Sequence, residues 1–153
     1  MTIINAEKIA DDMKNLFGEK LTVSEDKFFK KLMVEKAELI SLMQQLRDNY
    51  GFNHLANLTS VDYGEEFELV YHLYSMPENS KICIKTRTPR NTPEVDSLIS
   101  IWPTADWQER EVYDLMGIKF KGHPNLIRVL LPDDFEGHPL RKDFVMKGWV
   151  KVD

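Results

Sequence analysis

Apolar residues recur at two different spacings along the chain. Ile9, Met13, Leu16 and Phe17 follow a helical interval, with Asn5 placed to cap the first turn and Gly18 to end it. Leu21-Thr22-Val23 and Phe28 to Val34 read as short strands. Leu39, Leu42, Met43, Leu46 and Tyr50 then form a helical stripe that stops at Gly51, while Glu38, Gln45, Arg47 and Asp48 occupy the other faces. From His54 to Thr88 the period becomes two. Three strands are expected, His54 to Asp62, Phe67 to Tyr74 and Lys81 to Thr88, joined by turns at Tyr63-Gly64-Glu65 and Pro77 to Ser80. Such short connections predict an antiparallel meander.

Thr92 before Pro93 predicts a further helix, with Val95, Leu98, Ile99 and Trp102 as its core face and Pro103 as its end. Thr104 or Asp106 restarts a charged helix that closes at Gly117. On that helix Trp107, Val112, Tyr113, Leu115 and Met116 cover most of the circumference, and Glu109 and Glu111 fall inside apolar arcs. Carboxylates so placed must find partners, because a desolvated unpaired charge costs at least several kcal/mol. Arg110 and Asp114, four residues apart, can pair along the helix.

Beyond Gly117 the periodicity fails. Pro124, Pro132 and Pro139 each remove a donor and bias the preceding residue toward extended geometry. The phrase Phe-x-Gly-His-Pro occurs twice, at residues 120–124 and 135–139, and between the copies runs the apolar stretch Leu126-Ile127-Arg128-Val129-Leu130-Leu131. A structureless segment of this length is unusual inside a domain. It is expected to be an arm lying on another protein. The sequence therefore predicts an α+β fold, an antiparallel sheet with helices packed on it, over residues 1–116, followed by an extended, proline-punctuated, partner-binding arm over 117–153.

Length and charge narrow the function. At 153 residues the chain is one domain with room for a core, and a net charge of −5 without a basic stripe argues against nucleic acid. No signal peptide is expected, and no apolar run approaches about 18 residues, so the chain itself is not expected to span a membrane. The single cysteine, Cys83, allows no internal disulfide and cannot hold an iron–sulfur cluster alone. His54, His72, His123 and His138 lack the spacing of zinc motifs, and the latter two are expected to hydrogen-bond backbone in proline-fixed turns. Glu109 and Glu111 lie about 200° apart on a helix and cannot face one substrate. No phosphate loop, catalytic triad or dinucleotide fingerprint accompanies them. Structural ion pairing is the better role for the charged helix, and Arg128 and Arg141 suit interface carboxylates.

The run EREVYDLMGIKFKGHPNLIRVLLPDDFEGHPLRKDF, with His54 to Asp62 upstream of it, resembles the signature of the 30 kDa subunit family (the subunit lettered C) of NADH-quinone oxidoreductase, respiratory complex I. Val145 departs from the proline usual after Asp-Phe. The resemblance implies a non-catalytic subunit of the peripheral arm that packs on the quinone-site subunit, lettered D, beside the one lettered B and the ferredoxin-like one lettered I. It implies no cofactor in this chain, with iron–sulfur clusters and a quinone or nickel–iron site in the partners. It also implies a position on the cytoplasmic side of the cell membrane, reached only through the complex. Related chains serve membrane-bound nickel–iron hydrogenases, formate hydrogenlyases and F420H2 dehydrogenases, and the sequence leaves these open. The residues expected at partner interfaces or in structural ion pairs are Glu109, Arg110, Glu111, Asp114, His123, Arg128, His138, Arg141, Lys142 and Asp143.

Overall fold

The computed structural model describes residues 6–76 and 79–146. Helix α1 (Ala6–Phe17) buries Ile9, Ala10 and Met13. Leu16, expected on that face, is instead 57% exposed: Ile9, Ala10 and Met13 centre the contact toward Ala10 and Phe17, and Leu16 falls at its far edge, about 70° from that centre. Asn5, the expected cap, lies outside the described residues. Strands β1 (Leu21–Glu25) and β2 (Lys30–Val34) form a hairpin, and α2 (Leu39–Tyr50) buries Leu39, Leu42, Met43 and Leu46 as its stripe predicts.

Strands β3 (His54–Asp62), β4 (Glu66–Ser75) and β5 (Ser80–Pro89) make the antiparallel meander. The sheet as a whole is mixed: its order is β1-β2-β5-β4-β3, and β2 runs parallel to β5. The parallel pair arises because α2 and two full strands intervene before the chain returns beside β2, so the expectation of a wholly antiparallel sheet is corrected. The sheet's inward residues, among them Leu55, Phe67, Leu69, Tyr71, Leu73, Ile82 and Ile84, meet the helices in one core.

The helix expected from Thr92 is absent. Glu94–Asp96 is a short strand, β6, paired in parallel with β7 (Lys119–Lys121). Thr88 competes successfully with helix formation here: its hydroxyl accepts from the Glu94 amide at 3.1 Å and donates to the Glu94 carbonyl at 3.2 Å, which fixes an extended backbone. Helical spacing survives for one turn only, where the Ile101 and Trp102 amides both donate to the Leu98 carbonyl at 2.9 Å. Leu98 and Trp102 still reach the core, and the Trp102 indole donates to the Phe52 carbonyl. Helix α3 (Ala105–Met116) follows and ends at Gly117 as expected.

Candidate interaction site

Helix α3 is buried from two sides. Ala105, Glu109, Val112 and Met116 face the core, whereas Asp114, fully buried, faces the segment that follows the helix. The Asp114 Oδ2 accepts three consecutive amides, from Val129, Leu130 and Leu131, at 3.1, 2.8 and 3.0 Å. Its Oδ1 accepts from Arg128 at 2.7 Å. Burial pushes the Asp114 carboxyl up, but the Leu130, Leu131 and Val129 amides and the Arg128 guanidinium outweigh it, and the net shift is downward. Arg128 also donates to the Asp114 and Gly137 carbonyls and lies 5.7 Å from the Phe135 ring centroid, so it ties both halves of the arm to one helix.

The expected Arg110–Asp114 pair is not formed. Arg110 stacks on Trp107 and reaches the Ile127 carbonyl at 3.4 Å, because Arg128 brings a fork that also satisfies backbone carbonyls. Glu111 takes the Trp107 indole N–H at 2.6 Å on the exposed side of the helix, so the apolar arc expected around it is partly wet.

Glu109 is fully buried and makes no ion pair among the described residues. It accepts from the Ser97 hydroxyl at 2.5 Å and the Leu98 amide at 2.7 Å. Burial raises its pKa to about 7 against the lowering by those two donors. The Tyr71 hydroxyl is buried beside this group and its pKa is also raised, by burial first and then by Glu109.

The repeated phrase has a repeated purpose. Gly122 and Gly137 take positive φ, 89° and 96°, and each sends the following histidine back onto α3. His123 Nδ1 accepts the Asn125 amide at 3.0 Å, which leaves the proton on Nε2, 3.2 Å from the Asp106 carbonyl and 3.0 Å from its carboxylate. His138 Nδ1 lies 3.0 Å from the Asp114 carbonyl, and burial first, with Arg141 and Arg128 nearby, lowers the pKa of this ring. The two contacts grip α3 in its first and last turns, eight residues or about 12 Å apart.

Gly117 completes the attachment. Its φ is 74°, and an added Cβ would lie 2.6 Å from the Arg141 and His138 side chains. With that space open, Leu140 donates its amide to the Leu115 carbonyl at 3.0 Å and Arg141 Nε donates to the Met116 carbonyl at 2.7 Å, so the arm caps the last turn of α3.

Sequence reasoning missed Asp62, Arg90 and Phe67, which receive the arm at Arg141, Lys142 and Asp143. Asp62, buried at the end of β3, accepts the Lys142 amide at 2.9 Å and Arg90 at 2.6 Å. Arg90 also holds Asp143 at 2.6 Å, and the Arg90 and Arg141 guanidiniums each lie 5.0 Å from the Phe67 centroid. Burial raises the Asp62 carboxyl, but the Lys142 amide, Arg90 and the Gly64 amide bring it down to about 2. An aspartate directly before a Tyr-Gly turn was the available signal; its partner, 80 residues further along the same chain, left none. Of the expected residues, Asp114, His123, Arg128, His138, Arg141, Lys142 and Asp143 share this network. Glu109 sits on the opposite side of α3, and Arg110 and Glu111 lie on its exposed flank.

The attached arm leaves apolar surface uncovered. Trp107, Ile127, Leu130 and Leu140 are 50%, 49%, 54% and 60% exposed, and Val145 and Met146 are exposed beyond them. Elsewhere, Cys83 is buried and its thiol pushed up by that burial, and His72 packs against Phe29. Among the described residues no group of three or more His, Cys, Asp or Glu side chains is arranged to hold a metal, and no helix is long and apolar enough to cross a membrane.

Comparison with known proteins agrees with this architecture. The family model of the respiratory-chain NADH dehydrogenase 30 Kd subunit matches residues 32–150. The NADH-quinone oxidoreductase subunit lettered C from Moorella thermoacetica is 49% identical over 140 residues, covering 90% of this chain and 94% of its own. The corresponding protein of Citrifermentans bemidjiense is 44% identical over 118 residues, covering 75% and 73%. Among solved structures, the trypsin-resistant fragment (1-134) of Nqo5 superposes with a TM-score of 0.72 at 26% identity, over 80% of this chain and all of that one. One chain of the membrane-bound sulfane sulfur reductase, an archaeal respiratory membrane complex, gives 0.79 at 25% identity, over 93% and 86%. The chain belongs to the respiratory-chain NADH dehydrogenase 30 Kd subunit family.

Proposed function

We propose that this family member is a non-catalytic structural subunit in the peripheral arm of a proton-translocating NADH-quinone oxidoreductase, where it packs on the quinone-site subunit and is needed for assembly. The observation that carries the reading is the apolar face of Trp107, Ile127, Leu130 and Leu140, held outward by an arm whose polar groups are turned inward onto α3. A patch ordered by that many internal bonds and left exposed marks a protein interface. In this reading the subunits lettered B and I lie nearby, the iron–sulfur clusters and quinone site belong to the partners, this chain holds no cofactor, and it reaches the cytoplasmic side of the membrane only through them.

Co-expression with the neighbouring subunits tests this. Ile127→Asp with Leu130→Asp should abolish co-purification while the isolated variant keeps the wild-type melting temperature. Full assembly of that double variant would overturn the proposal.

A second reading has its own support in the fit to the sulfane sulfur reductase chain over 93% of this one. The subunit then serves a sister respiratory complex of that kind or a membrane-bound hydrogenase. Quinone reduction by NADH in the purified complex favours the first reading; its absence alongside hydrogen or sulfur chemistry favours the second.

A further inference from the structure

Next to the exposed apolar face lies a recess of about 410 Å³, lined by Glu136, Gly137, His138, Arg141, Asp143, Phe144 and Val145. Arg141 is the conspicuous group in it. Arg90 and Arg128 each hold a buried carboxylate. Arg141 donates through Nε to the Met116 carbonyl, lies on the Phe67 ring, and grips no carboxylate among the described residues. Of the two acids in the lining, Asp143 is engaged by Arg90 and Glu136 forms no ion pair with Arg141. Arg141 is already half-buried, with burial and the neighbouring Arg90 both working against its charge.

We propose that this recess receives a carboxylate side chain of the subunit that covers the apolar face. The proposal rests on the docking role given above. Covering Val145 in the lining, with the exposed Leu140 and Met146 that flank lining residues in the chain, would remove the remaining water from the guanidinium. An arginine desolvated without a counter-charge opposes association, whereas one met by a carboxylate gains a planar, two-pronged ion pair. The apolar rim identifies the source as an acidic residue presented by a protein surface rather than a free anion, which would leave those side chains in water.

The test uses the assembled complex carrying Arg141→Lys, treated with a carbodiimide that joins amines to touching carboxylates. Peptide mass spectrometry should find an amide between position 141 and an aspartate or glutamate of another subunit. Links confined to this chain's own acids, or no link in an intact complex, would overturn the proposal. In parallel, Arg141→Met should speed dissociation of the complex at least tenfold, with amide-exchange protection of Leu140 and Lys142 in the isolated chain reporting whether the arm stays attached. If Arg141→Met assembles normally while the Ile127 and Leu130 double variant does not, the docking role stands and the carboxylate site falls. If both assemble normally, the docking role itself falls.

Discussion

The sheet layer and the arm are held by different physics. Beneath the sheet, Leu69, Tyr71, Leu73, Ile82 and Ile84 are fully excluded from water and stabilise one another without regard to direction. The arm has Leu126 packed on the core but exposes Ile127 and Leu130, and its position comes from hydrogen bonds that converge on a few acceptors, chiefly the carboxylates of Asp114 and Asp62. Apolar burial tolerates substitution by degrees. A convergent acceptor does not, since its loss strands every donor at once.

The largest test of this contrast is Asp114→Ala. Removing the acceptor of three amides and one guanidinium is expected to cost about 3–5 kcal/mol locally, and to release residues 128–142 while β4 stays protected in hydrogen exchange. Acid should act in the same direction. Asp114 and Asp62 are both more acidic folded than unfolded, so their contribution is complete above their ordinary value of 3.8 and is lost as pH falls below it, for Asp62 toward about 2. Equal loss of protection in β4 and the arm would erase the distinction between the two regions.

Leu69→Ala should do the reverse. A cavity under the sheet is expected to cost about 2–5 kcal/mol of global stability, read as a lower denaturant midpoint, with the arm losing protection only as the whole fold does.

Glu109→Gln sharpens the boundary, because Glu109 is a polar group inside the apolar region. Its folded pKa, about 7, exceeds the ordinary 4.5, so the native state binds more protons and stability falls as pH rises from about 4.5 to 7, then levels. The shift corresponds to something on the order of 3 kcal/mol. The amide can donate to Ser97 and accept from Leu98, so the variant should lose that slope and exceed the wild type in melting temperature at pH 8. A slope that persists in the variant would assign it to another group.

The smallest effects belong to the solvent side. Glu111→Ala and Asp143→Ala remove partners of Trp107 and Arg90 at exposed positions and should each cost under about 1 kcal/mol in thermal unfolding.

How much of this was legible beforehand follows the same division. The α2 stripe, the β3–β4–β5 meander and the Gly117 stop could be read because periodicity and turn residues are local. Val95 and Leu98 are apolar and buried as their spacing suggests, yet not on a helix, since spacing does not register the Thr88 hydroxyl that holds Glu94 extended. At the site, the sequence marks Asp114 as a helical partner for Arg110 four residues away, whereas the true partner stands fourteen away. Asp62 and Arg90 escape notice because nothing in their own neighbourhoods announces a contact with Lys142 or Asp143.

The doubled Phe-x-Gly-His-Pro phrase makes the arm a two-point tether. When the His138 contact with Asp114 opens, His123 remains on Asp106 and shortens the free segment, which raises the effective concentration of the loose part near its seat. The two contacts add to the anchoring at Asp114 and Asp62, and the loss of either histidine alone should release less of the arm than the loss of both.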